Sequence, residues 1–511
     1  IILGIIALTL VIIGTTYAIL TWTSSKINLG LNSGCFTIDY TKGQDISGNL
    51  KLLNESDLIS NNKFTIKNGI GISAVNIGIN STCTIEGYGS IYLNVTNISD
   101  AFTTGDSKEA LKYAVLSNTS TITTPSSVTV DSLLNQSFNI VSSGSITSSD
   151  TITLLTKQLS NTEVYKYLVV IYVDNALAGN SVTSATFSGN ISADANQGEY
   201  NPAKETLKAL NLSLSSGTPN FTKTSIDDGT NGIYSSEDDL GTSYYFRGNV
   251  INNYVKFTNK YWRIIRINGD GTIRMIYAGT SAHANGYDDS SANDMNIGTS
   301  TINSSCEDNT YVGYMYGTTG ATSYANTHSN TTNSTIKTKL DSWYDTNIVN
   351  TGNERYIADA IYCNDRSVSS GTGIGTTKTT YAAAIRMDNR TPTLKCANNN
   401  DKFTKSTTIG NGKLTKMIGL ITSDEVMYAG GATSPNKEYY LYSETWYWTM
   451  TPNSFTYSFD FGCASVNNVD DNGNRNHFFV HNANRVRPVV SLKSDAISGG
   501  SGTAASPFLV G

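Results

Sequence analysis

The chain has 511 residues, 35 of them basic and 41 acidic, for a formal net charge of −6. That length predicts two or three domains, and with no basic stripe to neutralise phosphates nucleic acid is excluded as a partner. Charged residues make up 15 % of the chain, below the roughly 25 % usual in globular proteins, and Gly, Asn, Ser, Thr and 30 tyrosines fill the gap, which favours strands and turns.

Residues 1–20 are uncharged and almost wholly apolar. They are long enough to span a bilayer, and they equally suit the core of an export signal, with Thr16-Tyr17-Ala18 as a small-x-small cleavage site. Residues 1–24 are therefore read as a signal or membrane anchor. The chain beyond residue 24 is expected outside the membrane, extracellular or at a cell surface. A buried helix of a soluble domain is the alternative.

Residues 25–200 read as short strands between polar turns: 35–40, 64–79, 90–98, 137–141, 151–159, 165–174 and 185–195 alternate or run apolar over strand lengths. Asn68-Gly69 suits a hairpin turn, and 108–116 suits either a helical turn or a strand. So many strands predict an antiparallel β-sandwich. Residues 201–225 read as a linker with a brief helical period in ETLKALNL.

A second domain is expected over 226–511. YWRIIRI and TIRMIYA flank NGDG, a strong hairpin signal. Alternation puts Trp262, Ile264 and Arg266 on one face and Arg263, Ile265 and Ile267 on the other, so an arginine among apolar groups needs a partner. Ile336, Leu340, Trp343 and Tyr344 predict an amphipathic helix over 333–348 with Asn333 or Ser334 as its cap, its aromatics in the core. A second helix over 420–431 opens at Thr422 or Ser423 and stops at Gly430 and Gly431. The closing PFLV is expected to return and pair with early strands of this domain.

Six cysteines, none in a CxxC pair, argue against zinc and for disulfides in an exported chain. Cys35 with Cys83 closes a bridge in the first half. The other four allow three pairings, of which Cys363 with Cys396 is preferred. Six free buried thiols are the alternative.

The stretch 439–493 is read as a framed recognition region, with the binding surface expected around 453–484. The aromatic YYLYSETWYWTMTP leads through the polar SVNNVDDNGNRNHFFVHNAN to RVRPVVSLK. Rigid frames around an irregular polar middle suit a recognition surface on a scaffold. Trp448 and Arg487 are read as framework. The candidate ligand-binding residues are Asn467, Asn468, Asp470, Asn472, Asn474, Asn476, His477, His481, Asn482 and Asn484, with Tyr447 presenting aromatic surface. An ordinary Asn-rich loop is the plainer reading of the same residues. His477 and His481 stand four apart, but in a strand that is about 13 Å, so no metal site is predicted. The acidic groups Asp227, Asp228, Glu237, Asp238 and Asp239, and Asp288, Asp289 and Asp294, are read first as solvated loops and second as calcium ligands. No set of catalytic groups stands out.

Two resemblances attach to these stretches. GTTYAILTWTSS (14–25) and the closing pair YKYLVVIYVDNALAGN and ATFSGNISADANQ (165–197) resemble the camelysin/TasA family of Gram-positive surface and biofilm-matrix proteins. The resemblance implies a jelly-roll sandwich, a surface location and self-assembly into fibres by strand exchange. Camelysin was described as a protease, but no HExxH and no His occurs in this stretch, so no catalytic residue carries over. The second half is similar, through WTMTP (448–452), RVRPVV (485–490), the two helices and the closing strand, to the C-type-lectin-like fold, in the branch shared with formylglycine-generating enzymes and bacterial surface domains. That implies an α+β domain displaying a ligand surface. In some members the segment before VRP is diversified by a retroelement acting on Asn codons, with which the Asn cluster is compatible. The reactive cysteine pair of the enzymes is not reproduced by the spacing of Cys363, Cys396 and Cys463. The fold expected is mainly β with a few short helices. The function expected is non-enzymatic adhesion or binding of a protein or carbohydrate at a bacterial surface. The alternatives are a fibre or pilus-like matrix subunit and an oxidative enzyme of the formylglycine-generating type.

Overall fold

The computed structural model describes residues 50–79, 83, 86–117, 128–160, 163–197, 200–221, 231–287, 289, 293–431, 435–458 and 461–511, and the backbone of 17–18 and 36–40. These residues are mainly in strands, with few and short helices, and the chain divides into two units, Ile1–Tyr200 and Asn201–Gly511. Most of the apolar 1–24 segment, Cys35, Asp227, Asp228 and Asp288 lie outside the described residues. No described helix is long and apolar enough to cross a membrane.

In the first unit, strand Val164–Asp174 is the centre of the larger sheet. It pairs antiparallel with Gly71–Ile79 and Leu111–Ser117, and in parallel with Leu50–Leu53 over two residues. A second sheet runs in the order Thr151–Leu159, Gly87–Ile98, Phe187–Gln197. Period-two alternation sorts the central strand between two cores. Tyr167, Val169, Ile171 and Val173 join Ile91, Leu93 and Ile191 of the second sheet in one cluster. Leu168, Val170 and Tyr172 join Phe64, Leu133 and Phe138 in another. Burial on both faces explains why this strand reads as a continuous apolar run. Two expectations change. Asn68-Gly69 turns the chain, but the strands it joins, Lys63–Thr65 and Gly71–Ile79, pair with other strands and form no hairpin. The ambiguous 108–116 segment is strand from Leu111.

The stretch read as a linker opens the second unit with a helix, Pro202–Ala209, capped by the Asn201 side chain accepting from Lys204 N–H at 2.8 Å. Its Ala203 and Leu207 lie in that unit's core, and Thr206 Oγ1 donates to Gly271 O at 2.8 Å. Lys260–Ile267 and Ile273–Gly279 form the expected hairpin at NGDG. Val489–Leu492 pairs with the latter, and the closing strand Phe508–Val510 pairs with Tyr254–Phe257. A second sheet has Tyr447–Ser458 at its centre, between Phe461–Val469 on one side and Thr379–Tyr381 and Asn484–Arg485 on the other. Helix Thr335–Tyr344 is capped by Ser334 and buries Ile336, Leu340 and Tyr344, while Trp343 meets Trp262 and Tyr277 edge-on. Helix Ser423–Ala429 begins with a Thr422/Glu425 capping box and ends at Gly430 with φ +115°. Helix Ala382–Asn389 was not expected; it is short, and its N-cap, Tyr381, offers no side-chain bond.

Six arginines of this unit are buried: Arg247, Arg263, Arg266, Arg274, Arg366 and Arg487. Glu425 lies between two of them, accepting from Arg266 Nε at 3.0 Å and Arg274 Nη2 at 3.2 Å. Arg266 also pairs with Asp238 at 2.6 Å, so the arginine flagged by strand alternation has two carboxylate partners. Arg263, on the other face, donates to Asn253 and to Val250 O and lies 3.8 Å over the Tyr254 ring. Burial alone would raise the Glu425 pKa, but the Arg274 and Arg266 guanidiniums outweigh it and hold the carboxyl below its usual value. Replacing Glu425 with Gln leaves two buried guanidiniums short of a counter-charge. The expected cost is about 3–5 kcal/mol, read by urea unfolding; a change within experimental error would show that the pair is not desolvated.

The preferred bridge Cys363–Cys396 is present, and the remaining pair is Cys306–Cys463. Cys83 is also disulfide-bonded, so the free-thiol alternative fails for every described cysteine. The two bridges of this unit span 157 and 33 residues. Loop-closure entropy grows with the logarithm of loop length. Replacing Cys306 and Cys463 with Ala is therefore expected to cost about 1 kcal/mol more than replacing Cys363 and Cys396, compared by denaturant midpoints at equal slope.

Candidate functional site

The framework residues behave as expected. Trp448 is fully buried and its indole N–H donates to Ser300 O at 2.8 Å. Arg487 donates to Tyr277 O and Leu441 O, and its guanidinium lies 4.9 Å over the Tyr447 ring. Tyr447 itself does not present a surface. It is fully buried and its O–H donates to Leu441 O at 3.2 Å. Alternation yields no outward face here, because residues 447–455 are all buried. A central strand covered on both faces has no outward set.

The polar middle is also not an irregular loop. Phe461–Val469 and Arg475–Phe479 are strands that extend the sheet as a meander. Asn467 and Asn468 therefore lie in a buried strand, each with 0 % exposure, and cannot meet a ligand. Asn467 Oδ1 accepts from Asn453 Nδ2 at 3.0 Å and its carbonyl accepts from Thr449 Oγ1 at 2.7 Å. Asp470 is buried too, and holds the turn: its Oδ1 accepts the N–H groups of Asn472 and Asn474, both at 2.9 Å. Asn474 and Asn476 are half-buried on the turn and the outer strand, and Asn482 is half-buried in the turn beyond it. His477 and His481 are exposed, the His481 ring stacked on Phe479.

A groove does form beside this meander, of about 640 Å³, within the range of small-ligand sites. Of the expected residues it takes in Asn472 and Asn484. Its apolar part is Trp446 and Phe478, ring centroids 6.0 Å apart. Lys437, Glu444, Asp471 and Arg485 supply charges of both signs around them. Asn484 is 6 % exposed, and its Nδ2 has no hydrogen-bond partner among the described residues, a buried donor that calls for an explanation. Glu444 adopts φ +52°, the left-handed region that costs a non-glycine residue about 1 kcal/mol or more. At the groove the accessible aromatic is Trp446, the residue before the strand, and not Tyr447. Phe478 gave a weak signal as an apolar residue on the outermost strand, 39 % exposed.

Other polar constellations are internally matched. Asp238 and Asp239 are neither solvated nor free for calcium. Asp238 pairs with Arg266, and Asp239 pairs with Lys402 at 2.9 Å and accepts from Cys396 N–H. Arg386 bridges Asp365 and Asp424 in the same region. Asp294 accepts from Thr280 and contacts His283. Ser281 faces the same ring nitrogen, Nε2, so this trio lacks the two-nitrogen relay of a Ser-His-Asp triad. Among the described residues one cluster has metal-ligand geometry, Cys306, Cys463 and His481, and its sulfurs are joined in a disulfide. No protein-family model and no curated protein matches this chain.

His328 is fully buried, with Nε2 3.0 Å from Gly373 O. Burial, reinforced by the nearby Arg366 guanidinium, lowers its pKa to about 3. Its folded pKa lies below the unfolded value of about 6.5, so the unfolded chain binds the proton first. The stability this neutral ring supports is complete above that value and is lost as pH falls toward 3. His328→Gln, which keeps a donor for Gly373 O, is expected to flatten the loss between pH 6.5 and 4.5, up to about 1.4 kcal/mol per pH unit. Unfolding curves at stepped pH measure it, and parallel profiles for the two proteins would refute the assignment.

Proposed function

We propose that the chain is a bacterial cell-surface recognition protein in which the second unit, of the C-type-lectin-like kind, binds a ligand in the groove at Trp446 and Phe478. The first unit, on this reading a jelly-roll sandwich, carries it outward from the cell. The observation that carries the proposal is the conjunction in one groove of an accessible aromatic pair and charges of both signs. Aromatic residues give large contact area at low entropic cost. The sheet behind the groove is fixed by Trp448, Arg487 and the Asp470 turn, so binding requires little reorganisation.

Screening the purified chain against arrayed glycans and cell-surface protein extracts, with Trp446→Ala in parallel, tests this. Trp446→Ala is expected to weaken binding on the order of 30-fold, as loss of a central aromatic anchor does. Its melting temperature should stay close to wild type, because Trp446 is only partly buried. Unchanged binding in the variant would place the ligand elsewhere.

A further inference from the structure

The first unit holds a trio of side chains outside the recognition groove. Lys112 is opposite Tyr172 in the pairing of Leu111–Ser117 with Val164–Asp174, and Asp174 is the next residue on that face. Lys112 Nζ reaches diagonally to within 3.0 Å of Asp174 Oδ2 and 2.9 Å of Glu55 Oε2. The Asp174 side chain is 4 % exposed, that of Lys112 16 % and that of Glu55 39 %. Both carboxylates are also held from outside the trio. Asp174 Oδ1 accepts from Ala176 N–H at 3.1 Å, and Asp174 N–H donates to Ala110 O at 2.8 Å. Glu55 Oε1 accepts from the Tyr172 O–H at 2.7 Å.

We propose that Lys112 and Asp174 become joined by a self-formed amide bond, with Glu55 as the proton carrier. Burial alone would pull the Lys112 pKa down, but its hydrogen bonds to Glu55 and Asp174 outweigh that and raise it, so the ion pair is the resting form. Reaction proceeds from the minor neutral pair. A proton passes along the existing hydrogen bond from Nζ to Asp174 Oδ2, leaving an amine and an uncharged carboxylic acid. The amine lone pair attacks Cγ and forms the N–C bond. Glu55 accepts a proton from the attacking nitrogen and returns it to the departing hydroxyl. The Cγ–O bond breaks and one water leaves. No oxidant, reductant or cofactor is consumed. Condensation of a free amine and acid is unfavourable in water, but groups held in contact react with effective molarities on the order of 10⁵ M or more. The product links residues 62 apart in the chain across the central strand pair.

The intact mass of the reduced full chain decides the matter. The expected result is a mass one water below the sequence value, with a branched tryptic peptide joining the segments of Lys112 and Asp174. Lys112→Arg, which keeps the charge but cannot form this bond, is expected at its full sequence mass. Glu55→Gln is expected to show the water loss in a much smaller fraction of molecules. Wild-type protein at the full sequence mass after prolonged incubation, with no branched peptide, overturns the proposal without reference to any variant. Complete water loss in Glu55→Gln overturns the role of Glu55.

Discussion

Glu425 is the point on which the second unit turns. A carboxylate with two guanidiniums in a core is tolerable only if all three charges are placed together, because each alone would carry several kcal/mol of desolvation. Arg266 and Arg274 come from the two strands of the NGDG hairpin, and Glu425 from the first turn of helix Ser423–Ala429. The same carboxylate closes the capping box by accepting from Thr422 N–H at 3.0 Å. Helix start, hairpin register and charge balance are thus one constraint. The other buried arginines extend it. Arg247 donates to the carbonyls of Met427 and Tyr428 at the far end of that helix, and Arg366 ties Asp401 to Met315 O and Asn330.

That frame determines what is left to recognise anything. Residues 447–455 of strand Tyr447–Ser458 are buried on both faces, the next strand buries Asn467 and Asn468, and the turn after it is tied by Asp470. Within this segment Asn467, Asn468 and Asn484 are inside, and Asn472, Asn474, Asn476 and Asn482 are the positions with surface to offer. The groove arises where the strand begins, at Trp446, and where the meander's outer strand passes it, at Phe478.

The first unit solves a different problem. Its central strand is buried on both faces, which leaves Lys112 and Asp174 at the end of a strand pair beside the cluster of Leu168, Val170 and Tyr172. A charge pair there is stable only with its hydrogen bonds intact, and the same contacts that hold it bring an amine against a carboxyl group. Electrostatic pairing and covalent closure draw on one geometry.

Local periodicity and capping chemistry determined much of this protein. The NGDG hairpin, the helix capped by Ser334, the Thr422/Glu425 capping box, the returning strand at Phe508 and the strand-rich first half all arise from patterns a few residues long. The need of Arg266 for a partner was legible too, though not that Glu425, far along the chain, would supply it. What the sequence alone left open depended on sheet order. Tyr447 and Trp446 are adjacent and chemically alike, and only the placement of neighbouring strands decides that one is enclosed and the other borders a groove. The same holds for the Asn cluster, which reads as a polar loop but builds a strand, because burial is a property of what packs against a residue and not of the residue itself.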